Sequence, residues 1–121
     1  MAVFSRWDTV KVPFPYTDRP VRKRRPALVI AAGEIEEAHG LLWLLMITSA
    51  QNRGWDGDVP VSDLDAAGLP APSIVRPSKI ATVEANDATR LGVLAAEDCA
   101  IVARYLRRIL GDALGQSALV R

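Results

Sequence analysis

The chain has 121 residues, 50% of them hydrophobic and 24% charged, which is the composition of one globular domain and excludes a disordered chain. The net charge is +1, yet residues 1–33 hold seven Lys/Arg against two acids and the rest hold eight against twelve, so an anionic partner is favoured on one face. The longest apolar run, residues 41–47, is far short of the roughly 18–20 residues a membrane span needs. The single cysteine, Cys99, excludes an internal disulfide and suits a reducing cytoplasm. No basic flank precedes an apolar stretch at the N-terminus, so no signal peptide is expected.

Thr9-Val10-Lys11-Val12 alternates polar and apolar, as a half-buried strand does. Pro13, Pro15 and Pro20 then fall within eight residues, which predicts a long loop stiffened by prolines, Phe14 and Tyr16. Arg19, Arg22, Lys23, Arg24 and Arg25 put five cations into seven residues. Pro26 biases Arg25 towards an extended backbone and suits the first position of a strand, so a second strand is expected over residues 25–31. Residues 33–40 are polar and acidic and read as a turn or hairpin connection. Leu41-Leu42-Trp43-Leu44-Leu45-Met46-Ile47 is apolar on both alternating faces, which predicts a central strand buried on both sides; a helix is the competing reading.

Residues 58–61 read as an edge strand with Pro60, and residues 65–70 as a brief turn ending in glycine. Two strand pieces, 73–76 and 79–83, are expected on either side of Pro77. A turn or single helical turn at 86–89 precedes a last strand over 91–94. The clearest helix covers residues 97–110, with Ile101, Val102, Tyr105, Leu106, Ile109 and Leu110 forming one apolar stripe. Ala95 and Ala96 make a poor N-cap, Gly111 can supply the left-handed stop, and residues 112–121 are expected to fray. The predicted fold is mostly β with a C-terminal helix, a small and strongly bent sheet or partly open barrel, in one domain over residues 1–121.

Arg25 at the rim of a rigid sheet, fed by cations, is well placed to hold a phosphate; it could equally cap a strand at the surface. Arg76 could pair with Asp58 or Glu84 across the sheet. Cys99, in the helix's first turn, reads as a small packing residue, and His39 as solvated. One His and one Cys cannot build a zinc site, and the acids show no paired spacing, so no metal or other cofactor is expected. No glycine-rich phosphate loop is present.

Val10-Lys11-Val12-Pro13-Phe14-Pro15-Tyr16-Thr17-Asp18, Arg25-Pro26-Ala27-Leu28-Val29-Ile30, Ile47-Thr48-Ser49, Ser73-Ile74-Val75-Arg76-Pro77-Ser78-Lys79-Ile80 and the Leu91-Gly92 strand before a terminal helix resemble the MazF/PemK family of toxin endoribonucleases. The resemblance runs from about residue 7 to 111. It implies a small SH3-like, partly open barrel (MazF/CcdB-like), a homodimer, and a cognate antitoxin within a type II toxin–antitoxin system. It further implies metal-independent cleavage of single-stranded RNA, mRNA included, at short sequences. The cut leaves a 2′,3′-cyclic phosphate and a 5′-hydroxyl. Carried over residue by residue, Arg25 matches the catalytic arginine, Thr48 the catalytic threonine, and Arg76 an arginine used in catalysis in the PemK branch. Three positions depart from the family. Ser78 stands where that branch has an acid, no histidine lies between Val12 and Arg24, and Trp7 stands where the family usually has glycine.

Cleavage through the RNA's own 2′-hydroxyl needs no enzyme nucleophile. It needs that hydroxyl deprotonated, the phosphorane's charge stabilised and the 5′-oxygen protonated. Arg25 can give bidentate bonds to phosphate, and Thr48 can hydrogen-bond a phosphate oxygen or hold a water in line, though a hydroxyl is a poor base. Arg22, Lys23, Arg24, Arg76 and Lys79 are expected to line an RNA groove. Ser49, Gln51 and Asn52 are expected beside it, the last two as base-edge readers, with Phe14, Tyr16 or Trp55 as stacking surfaces. Two rivals remain: a non-catalytic poison gripping a protein such as DNA gyrase, and a catalytically degenerate RNA-binding module. The first relies on an exposed aromatic near the C-terminus, which residues 117–121 lack.

Overall fold

The structure is a computed structural model that describes residues 3–15 and 22–116, and side chains throughout those ranges except Phe14, Pro15 and Arg22. Tyr16, Arg19 and the tail from 117 to 121 therefore lie outside the described residues, as do the side chains of Phe14 and Arg22. One antiparallel sheet of six strands curls on itself and carries a C-terminal helix, as expected. The strands are β1 (Asp8–Pro15), β2 (Arg22–Ala31), β3 (Leu41–Ser49), β4 (Val59–Pro60), β5 (Ser73–Glu84) and β6 (Thr89–Val93). Their order across the sheet is β4-β5-β3-β2-β1-β6.

β3 is the centre, paired to β2 on one side and β5 on the other. Leu42, Leu44, Leu45 and Ile47 are fully buried, which resolves the helix-or-strand ambiguity of that run. Trp43 is the exception, 43% exposed where burial on both faces was expected. Leu28, Leu45, Ile47 and Val75 form one core with Val102 and Leu106 of helix α3 (Ala96–Ala113). Val10, Val12, Ala27, Val29, Leu42 and Leu44 form a second core. Burial on both faces is what lets so short a chain hold a sheet this bent.

Several boundaries differ from expectation. β1 continues through Pro13 to Pro15 rather than breaking into loop, because β6 pairs with β1 only over Asp8 to Lys11 and no ladder beyond it needs the missing N–H groups. β2 begins at Arg22, and Pro26 sits inside it, opposite Lys11. The connection at 33–40 contains a helix, α1 (Glu34–His39), anchored by Glu36, whose carboxylate accepts the N–H groups of Val3 and Phe4. The two expected pieces at 73–83 are one strand. Met46 pairs with Arg76 and Leu45 with Ile80, so Pro77, Ser78 and Lys79 bulge out of a continuous β5.

The short helix α2 (Leu64–Ala67) is capped by Asp63, whose carboxylate accepts the Ala66 N–H at 3.0 Å, and ends at Gly68. It lies so close to β6 that a Cβ on Gly92 would overlap the Ala66 carbonyl. α3 lacks a side-chain N-cap, as expected, but runs past Gly111. It stops at Gly115 (φ 76°), where Gln116 N–H donates to the Gly111 carbonyl and Gly115 N–H to that of Asp112. That pair of bonds is a Schellman motif, so residues 112 and 113 are helical rather than frayed. Ile101 and Ile109 of the expected stripe are each 36% exposed; Asp98 is buried instead, its carboxylate accepting the N–H and hydroxyl of Ser62. Among the described residues no helix is long and apolar enough to cross a membrane.

Candidate functional site

β2 and β3 pair through Leu28↔Leu45 and Ala27↔Met46, and the ladder goes no further. Pro26, which has no N–H to donate, follows directly. Continuing the same register by two residues brings Arg25 opposite Thr48, where the strands have begun to part. The opening between them is a hollow of about 230 Å³. Arg25, Thr48, Ser49 and Lys11 contribute its polar wall, and Ile47 and Leu69 are among its apolar lining. The far wall is the segment after α2, residues 68–73, held to the sheet where Thr9 Oγ1 donates to the Ala67 carbonyl at 2.6 Å. Arg25 and Thr48 are both half-buried.

Thr48 Oγ1 accepts a 3.0 Å bond from Asn52 Nδ2. Asn52 ends a 3₁₀ turn, residues 50–52, whose start is capped by Ser49: its Oγ accepts the Gln51 N–H at 3.2 Å. Ser49, Gln51 and Asn52 are all exposed, and Ser49 and Asn52 in addition make these hydrogen bonds within the protein.

Arg76 is not among the residues lining the hollow. Its Nε donates to Asp58 Oδ1 at 3.0 Å and its Nη2 to Asp58 Oδ2 at 2.9 Å, a bidentate pair with side chains only 9% and 8% exposed. Nη2 also donates to the Asn52 carbonyl at 2.8 Å. The Trp55 ring lies over the guanidinium, 4.1 Å from its carbon to the ring centre. Asp58 Oδ2 additionally accepts the N–H groups of Gly54 and Trp55. The Arg76 hydrogen bond holds the Asp58 carboxyl below the usual carboxylate range, and the pair raises Arg76 in turn. Of the two partners weighed for Arg76, the structure selects Asp58. Trp55, half exposed, covers this pair.

The remaining cations are dispersed. Strand alternation turns Arg24 away from Arg25. Its Nη2 reaches across β1 to the Lys11 carbonyl and Thr89 Oγ1, at 3.1 and 2.9 Å. Lys23 is exposed on β2, and Lys79 is exposed in the β5 bulge. Ser78 in the same bulge borders a separate hollow against Tyr105, Arg107 and Arg108 of α3. His39 is exposed at the end of α1. Burial, and next the Asp98 charge, push the Cys99 thiol up, overriding any gain from the helix dipole. Among the described residues no three His, Cys, Asp or Glu side chains converge as a metal site requires.

One residue here, Lys11, escaped the sequence reading as a site residue, and Asn52, expected as a base-edge reader, has internal contacts that the sequence did not show. Lys11 lines the hollow, and its signal was available: it is the polar member of an alternating strand facing Pro26. Asn52 supports Thr48 through its side chain and Arg76 through its carbonyl, a role that only a folded turn can create. Chemically, the hollow offers a cationic and hydroxyl wall beside an apolar floor, suited to a phosphodiester with its sugar or base resting against it.

A family profile described as "PemK-like, MazF-like toxin of type II toxin-antitoxin system" matches residues 5–110. No curated protein sequence gives a significant match. Among solved structures, the MazE–MazF complex (Form-III) from Deinococcus radiodurans is 22% identical with a TM-score of 0.72, covering 95% of this chain and 99% of that one. An endoribonuclease in complex with its cognate antitoxin from Mycobacterial species is 15% identical, with a TM-score of 0.71 and coverage of 90% and 96%. The Mycobacterium tuberculosis toxin MazF-mt6 is 25% identical, with a TM-score of 0.60 and coverage of 88% and 95%. The first two likenesses establish the fold, and the profile, spanning most of the chain, establishes kinship. The chain belongs to the PemK-like, MazF-like toxin family of type II toxin–antitoxin systems.

Proposed function

We propose that this toxin is an endoribonuclease that cuts single-stranded RNA, including mRNA, at short sequences without a metal ion. The observation that carries the reading is Arg25 and Thr48 sharing the wall of one hollow on neighbouring strands. The 2′-hydroxyl oxygen attacks the adjacent phosphorus and loses its proton to solvent or a base. The bond from phosphorus to the 5′-oxygen breaks, and that oxygen takes up a proton. The products are a 2′,3′-cyclic phosphate and a 5′-hydroxyl. Arg25 neutralises the charge that builds on the non-bridging oxygens, and Thr48 donates to one of them. Lys11 adds a second positive charge at the rim.

The partners follow the same reading. The solved relatives include a MazE–MazF complex and an endoribonuclease with its cognate antitoxin, which supports an antitoxin for this chain as well. A second copy of the chain is the other partner, with exposed Trp43 and Ile80 on neighbouring strands as apolar contact area. The cytoplasm is where such a toxin meets mRNA. The test is the cleavage rate of a mixed-sequence RNA by wild type and Arg25→Ala. Loss of one positioned donor of this kind lowers the rate about 10²–10³-fold. Undiminished cutting by Arg25→Ala would overturn the assignment.

A further inference from the structure

Arg76 sits in the motif that carried the family resemblance, yet its guanidinium is committed to the protein. Its Nε and Nη2 donors hold Asp58 and the Asn52 carbonyl, and Trp55 covers its face. What the arrangement fixes is the 3₁₀ turn over residues 50–52. Its far end is locked by Arg76 through the Asn52 carbonyl, and its near end by the Ser49 cap and by Ala50 N–H donating to the Pro72 carbonyl at 3.0 Å. From this turn Asn52 reaches the hollow's wall, through Nδ2 to Thr48 Oγ1.

That bond has a direction. Asn52 donates, so a lone pair of the Thr48 oxygen is occupied and its own proton must point elsewhere. Accepting a hydrogen bond also strengthens a hydroxyl as a donor. A free threonine hydroxyl rotates and can present either lone pair or proton; this one is held with the proton available.

We propose that Asn52 is a positioning residue that orients the Thr48 hydroxyl as a donor to RNA phosphate, and that Asp58, Arg76 and Trp55 are the brace holding Asn52 in place. Arg76 acts through Asn52 and Thr48 and does not touch the RNA. The inference rests on the ribonuclease reading above and deepens it.

A double-mutant cycle on the intact protein tests it, reading kcat and KM on one RNA of fixed sequence. Asn52 is exposed, so Asn52→Ala leaves the fold in place. It is expected to lower kcat on the order of tenfold, the worth of one oriented hydrogen bond, with KM little changed. In a Thr48→Ala background the same substitution is expected to change kcat less than about twofold, since there is no hydroxyl left to orient. Arg76→Lys keeps a cation beside Asp58 but cannot fork onto both Asp58 oxygens while donating to the Asn52 carbonyl. It should reproduce the kcat loss, and that loss too should vanish in Thr48→Ala.

Multiplicative losses in the double variants would overturn the proposal, as would an Asn52→Ala effect confined to KM, which is the signature of a base contact. Wild type that cuts RNA while Asn52→Ala cuts equally well would overturn it and leave the ribonuclease reading standing. Wild type that leaves RNA intact would overturn both.

Discussion

At the scale of single residues, Arg76 and Asp58 form a covered, bidentate ion pair. Both side chains are almost wholly covered, so removing one leaves a buried charge unmatched, at about 3 kcal/mol or more. Asp58→Asn should therefore be destabilised by about 3 kcal/mol at neutral pH. The gap should depend on pH in one direction. The folded-state pKa of Asp58 is depressed, so its contribution is present above the ordinary carboxylate value of about 3.9 and is lost as pH falls through the folded value. Denaturation midpoints of wild type and Asp58→Asn should differ by a constant amount above about pH 5 and converge below about pH 4. A gap that widens on acidification would show that another group controls the acid limb.

Trp7 carries a different kind of stress. Its φ of 80° lies in the left-handed region that glycine adopts at least cost. Its backbone bridges two elements: the N–H donates to the Val29 carbonyl and its carbonyl accepts the Leu94 N–H. The indole compensates by packing on the α3-side core, with Arg6 above the ring at 5.3 Å. Trp7→Ala loses the packing and keeps the strain, whereas Trp7→Gly loses both the packing and the strain. Trp7→Gly should consequently be the more stable of the two by roughly 1 kcal/mol, while both fall below wild type. Chemical denaturation of the three proteins decides this; equal stability for the two variants would remove strain from the explanation.

Residues of this kind mark how far the sequence could be read. Arg25 and Thr48 were brought together by the family resemblance rather than by strand pattern, since the polar run from Thr48 reads as a loop leaving the sheet; the structure keeps Thr48 in β3 and places both residues in the lining of one hollow. The Asp58 partnership was legible only as one of two options, because choosing between Asp58 and Glu84 depends on the sheet's order. Asn52's role was not legible at all: a polar residue after a strand looks the same whether it reads a base or braces a neighbour.

At the scale of elements, the misreadings share one cause: irregular backbone satisfied by tertiary contacts. α1 has no apolar stripe, and its buried Glu36 reads as solvated until the N–H groups of Val3 and Phe4 are seen on its carboxylate. Pro77 looked like a strand end but sits in a bulge within β5. Gly111 looked like a helix stop, yet the left-handed residue is Gly115. Conversely, the Leu91-Gly92 pair in the resembling motif acquires a physical reason. β6 at Gly92 has the α2 backbone directly against it, with the Ala66 carbonyl where a Cβ would stand, and Gly68 opposes Leu91 in the same way. Gly92→Ala should thus push α2 off the sheet and cost about 2–3 kcal/mol. It should also lower RNA cleavage, because residues 68–73 form the far wall of the hollow. A urea midpoint unchanged from wild type would show that α2 yields without cost.

At the scale of the whole molecule, a nearly neutral chain concentrates its positive charge in its first 33 residues and folds that segment into β1 and β2. The curl of the sheet then brings β3, with Thr48, beside β2, and α3 packs on the core to which Ile47 and Leu69 of the hollow also belong. Arg25 and Lys11 stand at the resulting hollow, Arg24 is drawn towards β6, and Lys79 is carried off in the β5 bulge. The cationic field is therefore broad, whereas the catalytic assignment depends on a single opening.

The most direct measurement is the chemistry of the ends made when purified protein meets single-stranded RNA in EDTA. Discrete cuts carrying 2′,3′-cyclic phosphate and 5′-hydroxyl ends, and lost in Arg25→Ala, are the expected result. RNA left intact, or cuts that need added metal or leave 5′-phosphates, would contradict it.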